Sequence, residues 1–262
     1  MRIFVLPEDI AKKEGIKLNA DKSHYLISVL RCKKGDVITI IDGKGKAYEA
    51  EVAEIAKGNV LITVINEIQL DTESSLNLIL CQGILKGEKM DLVIQKTTEL
   101  GVKEIIPLIT ERCVVKETRK VKRWQKIAEE AAEQCGRTVI PTVHEPIEYR
   151  NALCVMSDEY KKFLLTHHDL PITDYGLNGF IFWEEGGLAL KEAIKKLLPS
   201  PSLHNSNTPI FVFVGPEGGF TAEEVKLSEE HGLIRTTLGK RTLRAETAAI
   251  VSVALVQFLL ES

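Results

Sequence analysis

The chain has 262 residues, 44% hydrophobic and 27% charged, with a formal net charge of −3. That is the make-up of an ordinary globular protein of two modest domains or one large α/β unit, and it excludes a uniformly basic nucleic-acid binder. The longest apolar tract, Ala248 to Leu260, is broken by Gln257 and is shorter than the roughly 20 residues that span a bilayer, so it reads as a buried helix and no membrane association is expected. Met1 leads straight into the strand-like run Arg2–Leu6 with no cleavage pattern, so no secretory leader is expected. The five cysteines are scattered and form no C-x-x-C pair, which argues against a zinc site or a disulfide framework. A reduced, cytoplasmic protein is expected, its thiols packed as small apolar groups and no metal bound.

Residues 1 to about 70 read as β-structure. Arg2–Leu6, Val37–Asp42, Lys46–Ile55 and Val60–Ile68 are strand candidates, and in the third Tyr48, Ala50 and Val52 alternate with Glu49 and Glu51. Asp42-Gly43 and Gly58-Asn59 supply turns. Ser23–Arg31 is predicted to be a short helix with Leu26, Val29 and Leu30 on one side. Short strands with tight turns suggest a small barrel or sandwich. The polar stretch Gln69–Ser75 then reads as a linker.

From Leu76 the pattern alternates between strands and helices. Strands are predicted at Leu76–Leu80, Glu104–Thr110, Lys162–Thr166, Gly179–Trp183, Ile210–Val214 and Leu233–Leu238. Helices are predicted at Met90–Leu100, ended by Gly101, at Arg123–Cys135, at Leu188–Leu198, after Thr221 and from Glu246. Pro199–Pro209 reads as a loop. The fold expected is α/β with a mostly parallel sheet.

Two segments carry chemistry. In Val214-Gly215-Pro216-Glu217-Gly218-Gly219-Phe220-Thr221 an apolar strand enters a glycine turn and then a helix, with Thr221 and Glu224 spaced as a capping box. Ligands of open α/β sheets sit beyond such strand ends, where glycines permit close backbone approach. The segment lacks P-loop and G-x-G-x-x-G spacing, and Gly83 and Gly87 offer no dinucleotide fingerprint after the first α/β strand. Alone, it reads equally as an ordinary strand-to-helix turn. The second segment, Leu238 to Thr247, crowds Lys240, Arg241 and Arg244 ahead of the most apolar helix. Capping of that helix accounts for Glu246 but not for Arg244. A further basic run holds Arg112, Lys116, Arg119, Lys120, Lys122 and Arg123 against Glu117 alone, a pattern that fits phosphate or a solvated helix entry.

Taken together, GPEGGFT and LGKRTLRAETAA resemble the carboxy-terminal signature of the SPOUT superfamily and, within it, the RsmE family. Lys86–Asp91 with Gln95–Val102, Thr110–Val115, and Arg123-Trp124 followed by Glu130–Arg137 resemble further blocks of that family. Arg2-Ile3-Phe4, His24–Arg31 and Gly35-Asp36 fit its small RNA-binding barrel. Cys135 stands where serine is commoner, and residues 150 to 209 match weakly.

The resemblance implies a PUA-like β-barrel over residues 1–70, a linker at 71–75 and a SPOUT α/β trefoil-knot domain over 76–262. Knots are otherwise nearly absent from proteins, so no periodicity could suggest one. It implies an S-adenosylmethionine-dependent methyltransferase acting on N3 of a uridine in 16S ribosomal RNA, and a homodimer. The cofactor would be held by Trp183, Gly215, Pro216, Glu217, Gly218, Gly219, Leu238, Gly239 and Leu243. Arg244 would stabilise charge on the uracil oxygens, and Glu246 would be a base or a positioning group, or a helix cap. Arg2, Arg31, Lys86, Lys89, Arg112 and Arg123 are candidates for RNA phosphate contact. Methylation of another RNA base, and RNA binding without catalysis, are the alternatives.

Overall fold

The structure, a computed structural model, describes residues 2–166, 176–197 and 208–261. The chain forms two compact units, one made of the residues up to Glu73 together with Glu129–Ile140, the other of Ser74–Ala128 and the chain from Pro141 onward.

The first unit contains β1 (Ile3–Phe4), α1 (Pro7–Ile10), β2 (Ile16–Lys17), α2 (Ala20–His24), β3 (Val37–Ile41), β4 (Ala47–Ala56) and β5 (Asn59–Ile68). The strands form a curled five-stranded sheet in the order β1-β3-β4-β5-β2. Alternation in β4 works as expected at its centre: Ala50 and Val52 are fully buried beside Ile40, Val60, Ile62 and Leu26. Register shifts at Glu49/Ala50 and Val52/Glu54 bend the ribbon, as bulges do. The helix predicted over Ser23–Arg31 is corrected. After α2 the chain takes a π-helical turn over Tyr25–Val29, closed by the Leu30 amide on the Tyr25 carbonyl. That wider turn rotates Val29 and Leu30 into solvent and leaves only Leu26 in the core.

Residues Glu129–Ile140 complete this unit. The Arg137 guanidinium donates to Glu73 at 2.9 and 3.2 Å, and the Thr138 and Val139 amides donate to the same carboxylate. Lys44 bridges to Val139. The polar stretch ahead of residue 75 is thus bound through Glu73. Buried Glu133 accepts from the Phe4 amide, and burial raises its carboxyl above the ordinary value despite that bond and the nearby Lys22.

The second unit contains β6 (Asn77–Gly83), α3 (Lys89–Glu99), β7 (Glu104–Ile109), the first half of α4 (Val121–Cys135), β8 (Thr142–Val143), β9 (Ile147–Glu148), α5 (Tyr149–Thr166), β10 (Gly179–Phe182), β11 (Leu188–Ala189), α6 (Leu190–Leu197), β12 (Pro209–Val214), α7 (Ala222–Glu230), β13 (Ile234–Thr237) and α8 (Ala245–Glu261). Its sheet runs β11-β13-β10-β12-β6-β7-β8, with β9 also on β7, and every pairing is parallel. Both faces of the central strands are covered, so β10 and β12 are apolar throughout and β6 is apolar from Leu78 to Cys81, as buried parallel strands are. Leu78, Leu80, Val212 and Phe180 face one core with α3 and α8, while Ile79, Cys81, Phe211 and Phe213 face the other with α5 and α7.

The strand predicted at Lys162–Thr166 is the end of α5. Phe163-Leu164-Leu165 has strand composition, yet no Gly or Pro interrupts the chain from Tyr149. Ala152, Leu153, Met156 and Ser157 carry the buried stripe at helical spacing. Of the predicted Pro199–Pro209 loop, residues 199–207 lie outside the described residues. The helix predicted from Leu188 begins at Leu190, because Leu188 and Ala189 pair with β13. None of the five cysteines is in a disulfide; Cys81 and Cys113 are buried, whereas Cys135 and Cys154 are exposed rather than packed.

Candidate active site

The register of three neighbouring strands creates the site. Phe182 of β10 lies opposite Val214 of β12 and Thr236 of β13, so all three strands end at one edge. The turns that follow them converge there, where ligands of parallel sheets bind. They enclose a cavity of about 240 Å³ lined by Trp183, Glu184, Gly215, Pro216, Glu217, Gly219, Leu238, Gly239, Arg241, Leu243, Arg244 and Glu246, with Lys89 reaching in from α3.

The turn after β12 is held from several sides. The Gly219 amide donates to the Pro216 carbonyl at 2.9 Å. The Thr221 hydroxyl accepts from the Glu224 amide while Glu224 accepts from the Thr221 amide, which completes the predicted capping box. Glu224 also accepts from the Glu111 amide at 2.9 Å. Beneath the turn, buried Gln82 donates to the carbonyls of Gly83 and Gly215 at 2.9 and 3.1 Å. A Cβ on Gly83 would lie 2.6 Å from the nitrogen of Pro216, so the end of β6 admits only glycine without displacing the turn. Gly219 has φ +69°, the left-handed region, and its absent Cβ would meet the Glu184 carboxylate. Gly218 does not line the cavity; its carbonyl accepts from Arg112 Nη1 at 3.0 Å.

The charges inside are unequal in their satisfaction. Glu217 accepts from the Lys89 ammonium at 3.0 Å and from the Lys86 amide at 3.1 Å. Burial pushes its carboxyl upward, but the bonds from Lys89, from its own amide and from Lys86 outweigh burial and hold it below the ordinary value. Glu246, in the first turn of α8, keeps one oxygen, Oε2, buried with no hydrogen-bond partner among the described residues. The Lys89 ammonium stands 3.9 Å away. The Arg244 side chain is exposed to the cavity and makes no hydrogen bond or ion pair among the described residues, while its carbonyl accepts from the Ala248 amide at 2.8 Å. A guanidinium and a carboxylate oxygen thus stand two residues apart without hydrogen-bond partners, an arrangement that recruits a ligand carrying an acceptor and a proton donor.

The rest of the wall suits a nucleoside with an aliphatic tail. Leu238 and Leu243 are half-buried, and nothing stands within 4 Å of where a Gly239 Cβ would be. The Trp183 indole is fixed by donation to the Phe220 carbonyl at 3.3 Å, with the Arg235 guanidinium 5.7 Å over its ring. The cavity therefore fits S-adenosylmethionine, with glycine backbone on one side and leucines on the other. Among the described residues no group of His, Cys, Asp and Glu is arranged to hold a metal.

Comparison with known proteins agrees with this geometry. A family described as the RNA methyltransferase domain matches residues 72–257, and one described as the RNA methyltransferase PUA domain matches residues 18–65. Ribosomal RNA small subunit methyltransferase E of Synechocystis sp. is 32% identical over 100% of this chain and 78% of its own length. The protein of that name in Bacillus subtilis is 28% identical over 99% of this chain and 96% of its own. The chain belongs to the ribosomal RNA small subunit methyltransferase E family. The crystal structure of a Neisseria gonorrhoeae member bound to S-adenosyl methionine superimposes with a TM-score of 0.79 at 33% identity, covering 98% of this chain and 97% of that one. The chain accordingly combines a PUA-like domain with a SPOUT methyltransferase domain.

Against that family frame, the residues expected to touch RNA fall into different settings. Lys89 lies in the cavity, and Lys86 is exposed at its edge, its amide engaged by Glu217. Arg123 is held by Asp91 through Nε and Nη2 at 3.1 and 2.7 Å, and Asp91 also accepts from the Trp124 indole. Arg2 and Arg31 belong to the other unit; Arg2 donates to Thr72, and Arg31 is exposed with φ 55°. Sequence reasoning overlooked Gln82 and Glu184. Gln82 left a trace, the one amide after Leu78 in an apolar strand, whereas Glu184 in an acidic turn left none.

Proposed function

We propose that this protein transfers a methyl group from S-adenosylmethionine to N3 of a uridine in 16S ribosomal RNA, acting in the cytoplasm as a homodimer. One observation carries the reading: the Arg244 guanidinium and the Glu246 Oε2 atom have no hydrogen-bond partner among the described residues and line the cavity bounded by the Gly215–Gly219 and Leu238–Leu243 turns. The relatives' shared name and the S-adenosyl methionine bound to the Neisseria gonorrhoeae protein support the same donor and the same class of acceptor.

S-adenosylmethionine supplies an activated methyl group on a sulfonium, so the protein's task is to position the base and manage its proton. Uracil N3 lies between two carbonyl oxygens and is nucleophilic once deprotonated. The Glu246 carboxylate is an acceptor for that proton, since its buried oxygen has no donor of its own. Arg244 donates to a uracil oxygen as negative charge spreads there, the electrostatic contribution that is usually the largest in such sites. Lys89 keeps a cation beside both carboxylates, anchored by Glu217.

No helix among the described residues is long and apolar enough to cross a membrane. The dimer is supported by the family resemblance and by the exposure of Leu255 and of Phe258, 70% accessible, on α8. Sedimentation of the full chain tests it. Mass spectrometry of 16S RNA from cells lacking the gene tests the reaction: a uridine methylated at N3 in the parent should be unmodified in the deletion strain. Its persistence would reject the assigned target.

A further inference from the structure

We infer that the segment from Arg112 to Arg123 is a docking strap for the RNA backbone, with Lys116, Arg119 and Lys122 as its phosphate contacts. The inference rests on the proposed RNA substrate and places phosphate contacts on Lys116, Arg119 and Lys122, none of which is among the six residues expected to touch RNA phosphate.

The segment is fastened on both sides of the cavity. At its start the Glu111 amide donates to Glu224 at 2.9 Å, and Arg112 donates to the Gly218 carbonyl at 3.0 Å, within the turn that follows β12. At its end Lys120 donates to the Gly87 carbonyl at 3.4 Å, two residues before Lys89, and Arg123 is clamped on Asp91 of α3. Its six basic side chains therefore divide into two sets. Arg112, Lys120 and Arg123 point their donors at protein acceptors. Lys116, Arg119 and Lys122 are exposed and have no hydrogen bond or ion pair among the described residues. Glu117 is the one acidic residue between Arg112 and Arg123.

Three unpartnered cations at intervals of three residues, on a backbone already tied down, suit a flexible polyanion. Phosphate contacts of this kind orient a nucleic acid without reading its sequence. Prior fastening lowers the ordering cost of docking. Because Arg112 grips the turn that borders the cavity, a strand bound along the strap is brought to the site where Arg244 and Glu246 wait. A solvated loop would need neither the double fastening nor the division of the cations.

The test measures binding of the full-length protein to small ribosomal subunits from cells lacking the enzyme, and to the RNA extracted from them, across a salt series. In K116Q/R119Q/K122Q the slope of log affinity against log salt should fall by about 2, with affinity about ten-fold weaker at low salt. S-adenosylmethionine affinity, read by calorimetry, should be unchanged. K191Q/K195Q/K196Q, which neutralises the exposed lysines of α6, should leave the slope where it was. An unaltered protein that binds and methylates, paired with a strap variant of identical slope, would overturn the strap while leaving the reaction standing. An unaltered protein that binds neither RNA preparation would overturn both.

Discussion

The ammonium of Lys89 sits 3.0 Å from Glu217, and this one ion pair joins the first turn of α3 to the glycine turn after β12. The Lys86 amide donates to the same carboxylate oxygen, so the cavity wall is tied to the α3 entry by both side chain and backbone. A pH dependence follows. The folded-state carboxyl of Glu217 lies below its ordinary value near 4.5, so the stabilisation is fully present above that value and is lost as pH falls through the folded value. Urea melts of the parent and Glu217→Gln should differ at neutral pH and converge in acid well below 4.5. A gap that persists unchanged in acid would show that the carboxylate's charge is not what holds the turn.

Arg244→Ala should lower kcat by about 100-fold to 1000-fold, the range for removing one donor to a developing oxyanion. Because the Arg244 side chain makes no hydrogen bond or ion pair among the described residues, melting temperature and S-adenosylmethionine affinity should stay unchanged. Methyl transfer from labelled cofactor reads the first, and calorimetry the second. Full activity in the variant would remove Arg244 from the reaction.

Glu246→Gln separates proton acceptance from helix capping. The carboxylate has a buried oxygen with no hydrogen-bond donor and the Lys89 ammonium only at 3.9 Å, so replacing it by an amide of the same shape should change the melting temperature little. As a proton acceptor, its loss should reduce the methylation rate about 100-fold or more. A variant that loses stability and keeps its rate would return Glu246 to a capping role.

Legibility in the sequence followed the range of the interactions. The capping box of Thr221 and Glu224, the Gly101 stop after α3 and the buried stripe Met90, Val93, Ile94 and Thr97 are local, and each is visible within one or two turns of chain. The α/β order was legible because strands and helices have different periods. The return of Glu129–Ile140 to the first unit was not, since Arg137 meets Glu73 across 64 residues and Glu133 meets Phe4 across 129. Nor was the fate of individual cations. Lys89 and Arg123 read alike as surface charge until the fold sets Glu217 beside one and Asp91 beside the other. The two segments of the SPOUT signature line one cavity only through the register of β12 and β13 on β10, which no local pattern in either segment displays.

Gly83 gives the sharpest separation between shaping the cavity and touching its ligand. It ends β6 and is not among the residues lining the cavity, yet a Cβ there would lie 2.6 Å from both the nitrogen and Cδ of Pro216. Backbone cannot step aside as a side-chain tip can, so Gly83→Ala must push the turn after β12 outward, and overpacking of this kind costs about 1–3 kcal/mol. Part of that strain should fall on the cavity, because Pro216 forms its wall and Gln82 bonds the carbonyl of Gly215 immediately before it. Gly83→Ala should therefore weaken S-adenosylmethionine binding, measured by calorimetry, beyond what its shift in melting temperature accounts for. A Gly101→Ala control meets side chains of Gln257 and Ser74 instead, and should lower stability while leaving cofactor affinity intact. Equal cofactor affinities in the parent and Gly83→Ala would mean that the turn is not positioned by the end of β6.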